Sequence, residues 1–309
     1  MILQRKAKAT LTPFCVNHGD TFCFTLGDGR VWEMTLLATG AEIIARCRHG
    51  GDAQDVCAKN GEVGAYAFTA DVRVNGREAR LRREVGTQGS FYEPWCFDGV
   101  NLWFDAAACA FGPCGGFMGE KDFLHGWICQ PQLAARFAVQ EAGRSICPEP
   151  VLPWYPAVAS GRLDIRECYN GEDCWMGPYS GGAAHCGLDV NMAAGTVLSA
   201  PVAFDDHYLF NSTAAGYTNN RWRGVRRWKD NSGDNSISSE WWLQSHHQID
   251  MLVPVRTPLA ADTAYATSAG VAVGGHEHTH FMFRVIEQGG DYMLDPWILF
   301  WQMFRDLGK

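Results

Sequence analysis

The sequence predicts a mainly β protein: an N-terminal antiparallel β-sandwich-like domain, then a second β-rich domain closed by a C-terminal helix. Three observations predict it. Short apolar runs recur between turn residues along the chain. Asn75-Gly76, the strongest short hairpin signal, directly follows the alternating Val72-Arg73-Val74. No long helical periodicity separates the runs of the first half, and the helix signal comes near the end, at Asp295-Pro296.

Taken in order, Phe22-Cys23-Phe24-Thr25-Leu26 and Val31-Trp32-Glu33-Met34-Thr35-Leu36-Leu37 flank Gly27-Asp28-Gly29 and read as paired strands. Val100-Asn101-Leu102-Trp103-Phe104 and Phe137-Ala138-Val139 add further strands to a sandwich. The aromatics of Phe91-Tyr92-Glu93-Pro94-Trp95 fit core or loop packing, since large aromatic side chains are usually buried. Between Cys147 and Pro156 four prolines fall in ten residues, which rules out a continuing helix or central strand and predicts a semi-rigid connector. The expected organisation is therefore an accessory domain over 1–147, a proline-rich linker over 148–165 and a second domain over 166–309. In that domain Thr196-Val197-Leu198-Ser199-Ala200-Pro201-Val202 and Trp241-Trp242-Leu243-Gln244-Ser245-His246-His247 read as strands. The stretch 211–240 between them is long, polar and glycine-bearing, and reads as a lid or binding loop. Asp295 as N-cap and Pro296 at the first helical position start a helix with Trp297, Phe300, Trp301 and Phe304 on one apolar face.

Composition narrows the function classes. The 309 residues are 47% hydrophobic and 12% aromatic, ample for packed cores. A formal net charge of -8, with the main run of basic residues between Arg221 and Lys229, argues against nucleic acid or an anionic membrane as the main partner. No apolar run is long enough to span a bilayer. The basic N-terminus lacks a following apolar run and does not read as a secretory signal, which leaves the compartment open. Twelve cysteines, none in a C-x-x-C pair, read mostly as buried thiols and exclude closed zinc fingers. Disulfides involving Cys109, Cys114, Cys168 or Cys174 fit an exported protein.

The chemistry-bearing residues are histidines. Gly275-His276-Glu277-His278-Thr279-His280-Phe281 holds three of the ten histidines at every second position, so on a strand they share one face. Upstream, His185-Cys186-Gly187-Leu188-Asp189 offers a histidine and a carboxylate four residues apart, which a straight strand would separate by roughly 13 Å. One ion can take both only if the chain bends, and Gly187 permits a bend. Two imidazoles and a carboxylate make a three-ligand zinc set with a fourth position left for water. Asp205-Asp206-His207 reads as a solvated turn.

His185-x-x-x-Asp189, then Gly195-Thr196 followed by Ala200-Pro201, and much later His278-x-His280-Phe281 after Gly274-Gly275, together resemble the lysostaphin-type zinc metallopeptidases over about residues 180–285. The resemblance implies a duplicated-hybrid-motif fold and a zinc-dependent endopeptidase acting on peptide or peptidoglycan cross-links, outside the cytoplasm. It implies Zn2+ held by His185, Asp189 and His280, with His278 as a catalytic histidine. The family's other catalytic histidine ends a strand ahead of an alternating apolar segment. Here Ile249, Met251, Val253 and Val255 favour His247 for that part, with His246 as competitor. His276 has no counterpart in the motif and is given a supporting role. The alternative, from another class, is a catalytically inactive scaffold or a glycan- or protein-binding protein, favoured if Trp222, Trp228 or Trp241 block the groove.

Overall fold

The computed structural model describes residues 1–45, 65–85, 92–109, 129–159, 178–179, 183–184, 186–210, 217–229, 237–269, 278–287 and 290–308. His185 and His276 lie outside the described residues. The chain packs as two units, Met1–Pro148 with Asn170–Cys186, and Glu149–Tyr169 with Gly187–Lys309. Both are built mainly of strands. Among the described residues no helix is long and apolar enough to cross a membrane.

The first unit contains β1 (Ile2–Lys6), β2 (Thr12–Val16), β3 (Thr21–Thr25), β4 (Val31–Ala45), β5 (Ala65–Val74), β6 (Arg77–Val85), β7 (Trp95–Phe97), β8 (Val100–Ala107), β9 (Ala135–Glu141), β10 (Pro178–Tyr179) and β11 (Ala183–Ala184). One sheet has the order β1-β3-β4-β5-β6 and another β2-β9-β8-β7, while β10 and β11 pair with each other. The two larger sheets meet through aromatic side chains. Phe14 of β2 stacks on Phe22 of β3 at 3.6 Å between ring centroids, and Phe68 of β5 meets Phe104 of β8 edge-on at 6.5 Å. This is the expected sandwich, except that β1 runs parallel to β3. Asn75-Gly76 turns β5 into β6 with φ of 45° and 82°, the left-handed pair that a two-residue hairpin of this hand requires. Asp98-Gly99 does the same between β7 and β8, at 49° and 85°. Cys129 and Cys186 form a disulfide within this unit, with their Cα atoms 5.6 Å apart, whereas Cys109 is a free thiol.

The second unit contains α1 (Pro156–Ala159), β12 (Leu188–Asn191), β13 (Val197–Ser199), β14 (Asp206–Phe210), β15 (Asn220–Lys229), β16 (Ile237–Met251), β17 (Ala264–Ser268), β18 (His278–Glu287), β19 (Gly290–Leu294) and α2 (Trp297–Asp306). Its sheet has the order β12-β18-β16-β15-β14, with β17 also on β16 and β19 also on β18. Period-two alternation divides the side chains of this sheet between two faces. One face carries Trp222, Trp241, Phe281 and Phe283 into the core. There Trp222 stacks on Tyr265 at 3.9 Å, and Phe281 packs against Trp154 at 4.5 Å and Phe300 of α2 at 5.7 Å. The other face carries the histidines.

Two features of this unit differ from what the residue pattern alone implies. The stretch 211–240, expected as a loop, contains the ten residues of β15 and the start of β16. Its arginines are polar because Arg221 and Arg223 alternate with the buried Trp222 and Gly224 across a half-buried sheet. The proline-rich stretch places Val151, Trp154 and Tyr155 in the core, and the Trp154 indole N–H donates to the Tyr265 hydroxyl at 2.8 Å. Prolines forbid ladder pairing but leave the apolar side chains between them free to be buried. At the other end, Asp295 Oδ1 accepts the backbone N–H of Trp297 at 2.9 Å, so its carboxylate caps the first turn of α2.

Candidate metal centre and histidine cluster

β12 and β18 pair antiparallel in a register that sets Asp189 opposite His280 and Asn191 opposite His278. The carboxylate of Asp189 joins both histidines. Its Oδ1 accepts from His280 Nδ1 at 2.7 Å, and its Oδ2 lies 3.2 Å from His278 Nε2. All three residues are buried. The close approach depends on Gly187. A Cβ there would stand 2.3 Å from His280 Cε1 and 2.5 Å from the carbonyl oxygen of Phe281. Gly187 lies at a bend, as expected of it, and also serves by lacking a side chain where His280 packs.

β16 closes the cluster from the other side of β18. The His246 ring lies 5.0 Å from that of His280, and the His247 ring 4.7 Å from that of His278, nearly perpendicular to it. Consecutive residues on a regular strand face opposite ways, yet both rings reach the same pair. The cause is the backbone at His247, whose φ of 61° is left-handed and breaks the alternation. The expected choice between His247 and His246 thus becomes a cluster that includes both.

The polar surroundings differ for the two. His246 Nε2 sits 3.3 Å from Gln244 Nε2, so the amide donates to a ring nitrogen that carries no proton. His247 Nδ1 is buried and has no hydrogen-bond partner among the described residues. Burial, and next the neighbouring His278 imidazole, push His247 down to about 3, which keeps it neutral. Asn191, Gln244 and Arg221 also stand on this face, at the register positions of His278, Met282 and His246. Only their place in the sheet, two residues along or directly across from a histidine, points to them.

Among the described residues no three donor groups converge as a complete metal-ligand set. Asp189 and His280 supply two of the three expected donors, and His185 falls outside the described residues. The donor chemistry fits zinc. An imidazole nitrogen and a carboxylate oxygen are donor types that zinc takes, and His280 Nδ1 and Asp189 Oδ1 are within hydrogen-bond reach of each other at 2.7 Å.

The mainly β fold thus gathers a carboxylate and four histidines, Asp189 with His246, His247, His278 and His280, on one sheet face. No protein-family model matches the sequence, and no curated protein does. Among solved structures the chain is similar to the catalytic domain of the antimicrobial peptidase lysostaphin from Staphylococcus simulans. That match has 20% identity over 40% of this chain and 84% of that one, with a TM-score of 0.27. It is also similar to LytU, with 20% identity over 38% of this chain and 73% of that one and a TM-score of 0.25. A zinc containing peptidase from Vibrio cholerae matches at 10% identity over 91% of this chain and 83% of that one, with a TM-score of 0.27.

Proposed function

We propose that the chain is a zinc-dependent endopeptidase acting on peptidoglycan cross-links or similar peptides of small residues. The observation that carries this reading is the Asp189 carboxylate bonded to His280 and touching His278, with His246 and His247 ringed round them. His185, Asp189 and His280 are the residues that would hold zinc. When bound, the ion supplies a Lewis acid that polarises the scissile carbonyl and brings the pKa of water towards neutrality.

The chain's own residues handle orientation and protons. Asp189 Oδ2 faces His278 Nε2 and fixes the orientation of that imidazole. His247, held neutral, stands with its ring 4.7 Å from that of His278, placed to hydrogen-bond at the site without adding positive charge to it. Trp222, Trp228 and Trp241, which would favour a blocked scaffold if they filled the groove, are buried. Trp222 and Trp241 pack on the opposite, core face of the sheet.

The test is metal analysis combined with digestion of purified peptidoglycan and small-residue peptides. Release of new peptide termini by the zinc-loaded protein supports the reading. Protein with a full complement of zinc that cleaves neither substrate overturns it.

A further inference from the structure

The histidine cluster occupies one end of a row of side chains that the proposed reaction leaves unused. On the same face β16 presents Trp242 and Gln244, β18 presents Met282 and Arg284, and β15 presents Arg221 and Arg223. The guanidinium groups of Arg223 and Arg284 both lie over the Trp242 ring, at 4.5 Å and 4.4 Å from its centroid. Gln244 links this group to the histidines, since its Oε1 accepts from Arg223 Nε and its Nε2 reaches His246.

Two cations on one half-buried indole repel each other. Burial, then the charge of Arg284, bring the Arg223 guanidinium down to about 10, so its positive form is held at a cost that an added anion would relieve. Arg284 makes a two-pronged pair with Asp291, whose side chain is 48% exposed. The Arg284 side chain itself is 13% exposed, so Asp291 already shows how this fork receives a carboxylate, and an incoming one would take its place. Planar guanidinium forks on an aromatic platform suit carboxylate recognition. Trp242 stands four residues along β16 from His246, about 13 Å, the length of some four residues of an extended peptide.

We propose that Arg223 and Arg284, seated on Trp242, bind the carboxylate of an extended peptide about four residues from the bond on which the histidine cluster acts. The position of the cleaved bond rests on the peptidase reading above, whereas capture of the carboxylate does not.

The test uses the full chain carrying His278→Ala, loaded with zinc so that binding is read without turnover. Calorimetry compares hexaglycine bearing a free C-terminal carboxylate with its C-terminal amide. The carboxylate form binds about tenfold tighter, the order a charge-assisted contact supplies, and the preference shrinks as salt is raised. Adding Arg223→Gln and Arg284→Gln makes the two peptides bind alike. Equal affinity in the parent, a preference that survives the double substitution, or failure of both peptides to bind overturns the proposal. Cleavage by the unsubstituted protein is scored separately. A preference without cleavage leaves the carboxylate subsite standing and removes the peptidase, and cleavage without a preference does the reverse.

Discussion

Asp189 and His280 are direct cross-strand partners on β12 and β18, and the bond between their side chains, 2.7 Å long, joins residues 91 positions apart in sequence. Strand register, rather than loop conformation, therefore sets the spacing of the two proposed ligands. Opposed residues of an antiparallel pair have Cα atoms about 5 Å apart, which puts two inward side chains within reach of one ion. The same register leaves His278 two residues along, in contact with the second carboxylate oxygen but facing Asn191.

That division predicts separable losses. Asp189→Ala removes a donor and the group that orients both histidines, so zinc content falls and hydrolysis with it. His278→Ala keeps zinc while hydrolysis drops about 10²- to 10⁴-fold, the usual contribution of a positioned acid-base group. Metal content by mass spectrometry beside peptide-release assays checks both. Zinc lost equally from the two variants would contradict the assigned roles.

Gly187 yields a second prediction. Gly187→Ala would drive a methyl group against the His280 ring and the fixed carbonyl of Phe281. The ring can turn but the backbone oxygen resists, so the substitution destabilises by about 1–3 kcal/mol, as overpacking does. It also lowers zinc affinity by moving His280. Denaturant melts and zinc titration read the two effects, and a variant with unchanged stability and zinc uptake would show that the close approach is dispensable.

How much of this was legible follows from which features are local. The alternation of His278 and His280 is a period-two pattern and could be read directly, as could the Asn75-Gly76 turn. The pairing of Asp189 with His280 is non-local, and only the family resemblance linked the two motifs. The stretch 211–240 read as a loop because Arg221 and Arg223 mask the alternation of Trp222 and Gly224, and a sheet with one open face looks polar at every other residue. His246 and His247 looked like competitors because a regular strand can aim only one of them at the site. The left-handed backbone that admits both has no signal in a His-His pair.

That backbone supplies its own test. At most positions alanine is the more stable of the two small replacements, but at φ 61° the Cβ is penalised. His247→Gly is therefore more stable than His247→Ala by about 1 kcal/mol, although neither carries an imidazole. Both lose hydrolysis to the same extent. Chemical denaturation of the pair checks the order, and a more stable alanine variant would mean that the bend at His247 is absent.

Beneath the histidine face, the Tyr265 hydroxyl accepts from the Trp154 indole at 2.8 Å and lies 2.7 Å from Ser245 Oγ. Tyr265→Phe keeps the stack on Trp222 but leaves the buried Trp154 N–H unpaired, a cost of about 1–3 kcal/mol. Burial raises the phenol's pKa well above its ordinary value, with the bonds to Ser245 and Trp154 only partly offsetting it. An unfolded tyrosine releases its proton near pH 10, so above that the unfolded state binds fewer protons than the folded one. Stability then falls with rising pH, by up to about 1.4 kcal/mol per unit from this group, until the folded phenol itself ionises. Below about pH 9 the group contributes no slope. The phenylalanine variant lacks this alkaline loss, so its deficit relative to the parent narrows as pH rises past 10. Urea melts of both proteins at pH 8 and at alkaline pH measure the difference, and a constant deficit would show that Tyr265 ionises in the fold as readily as in the open chain.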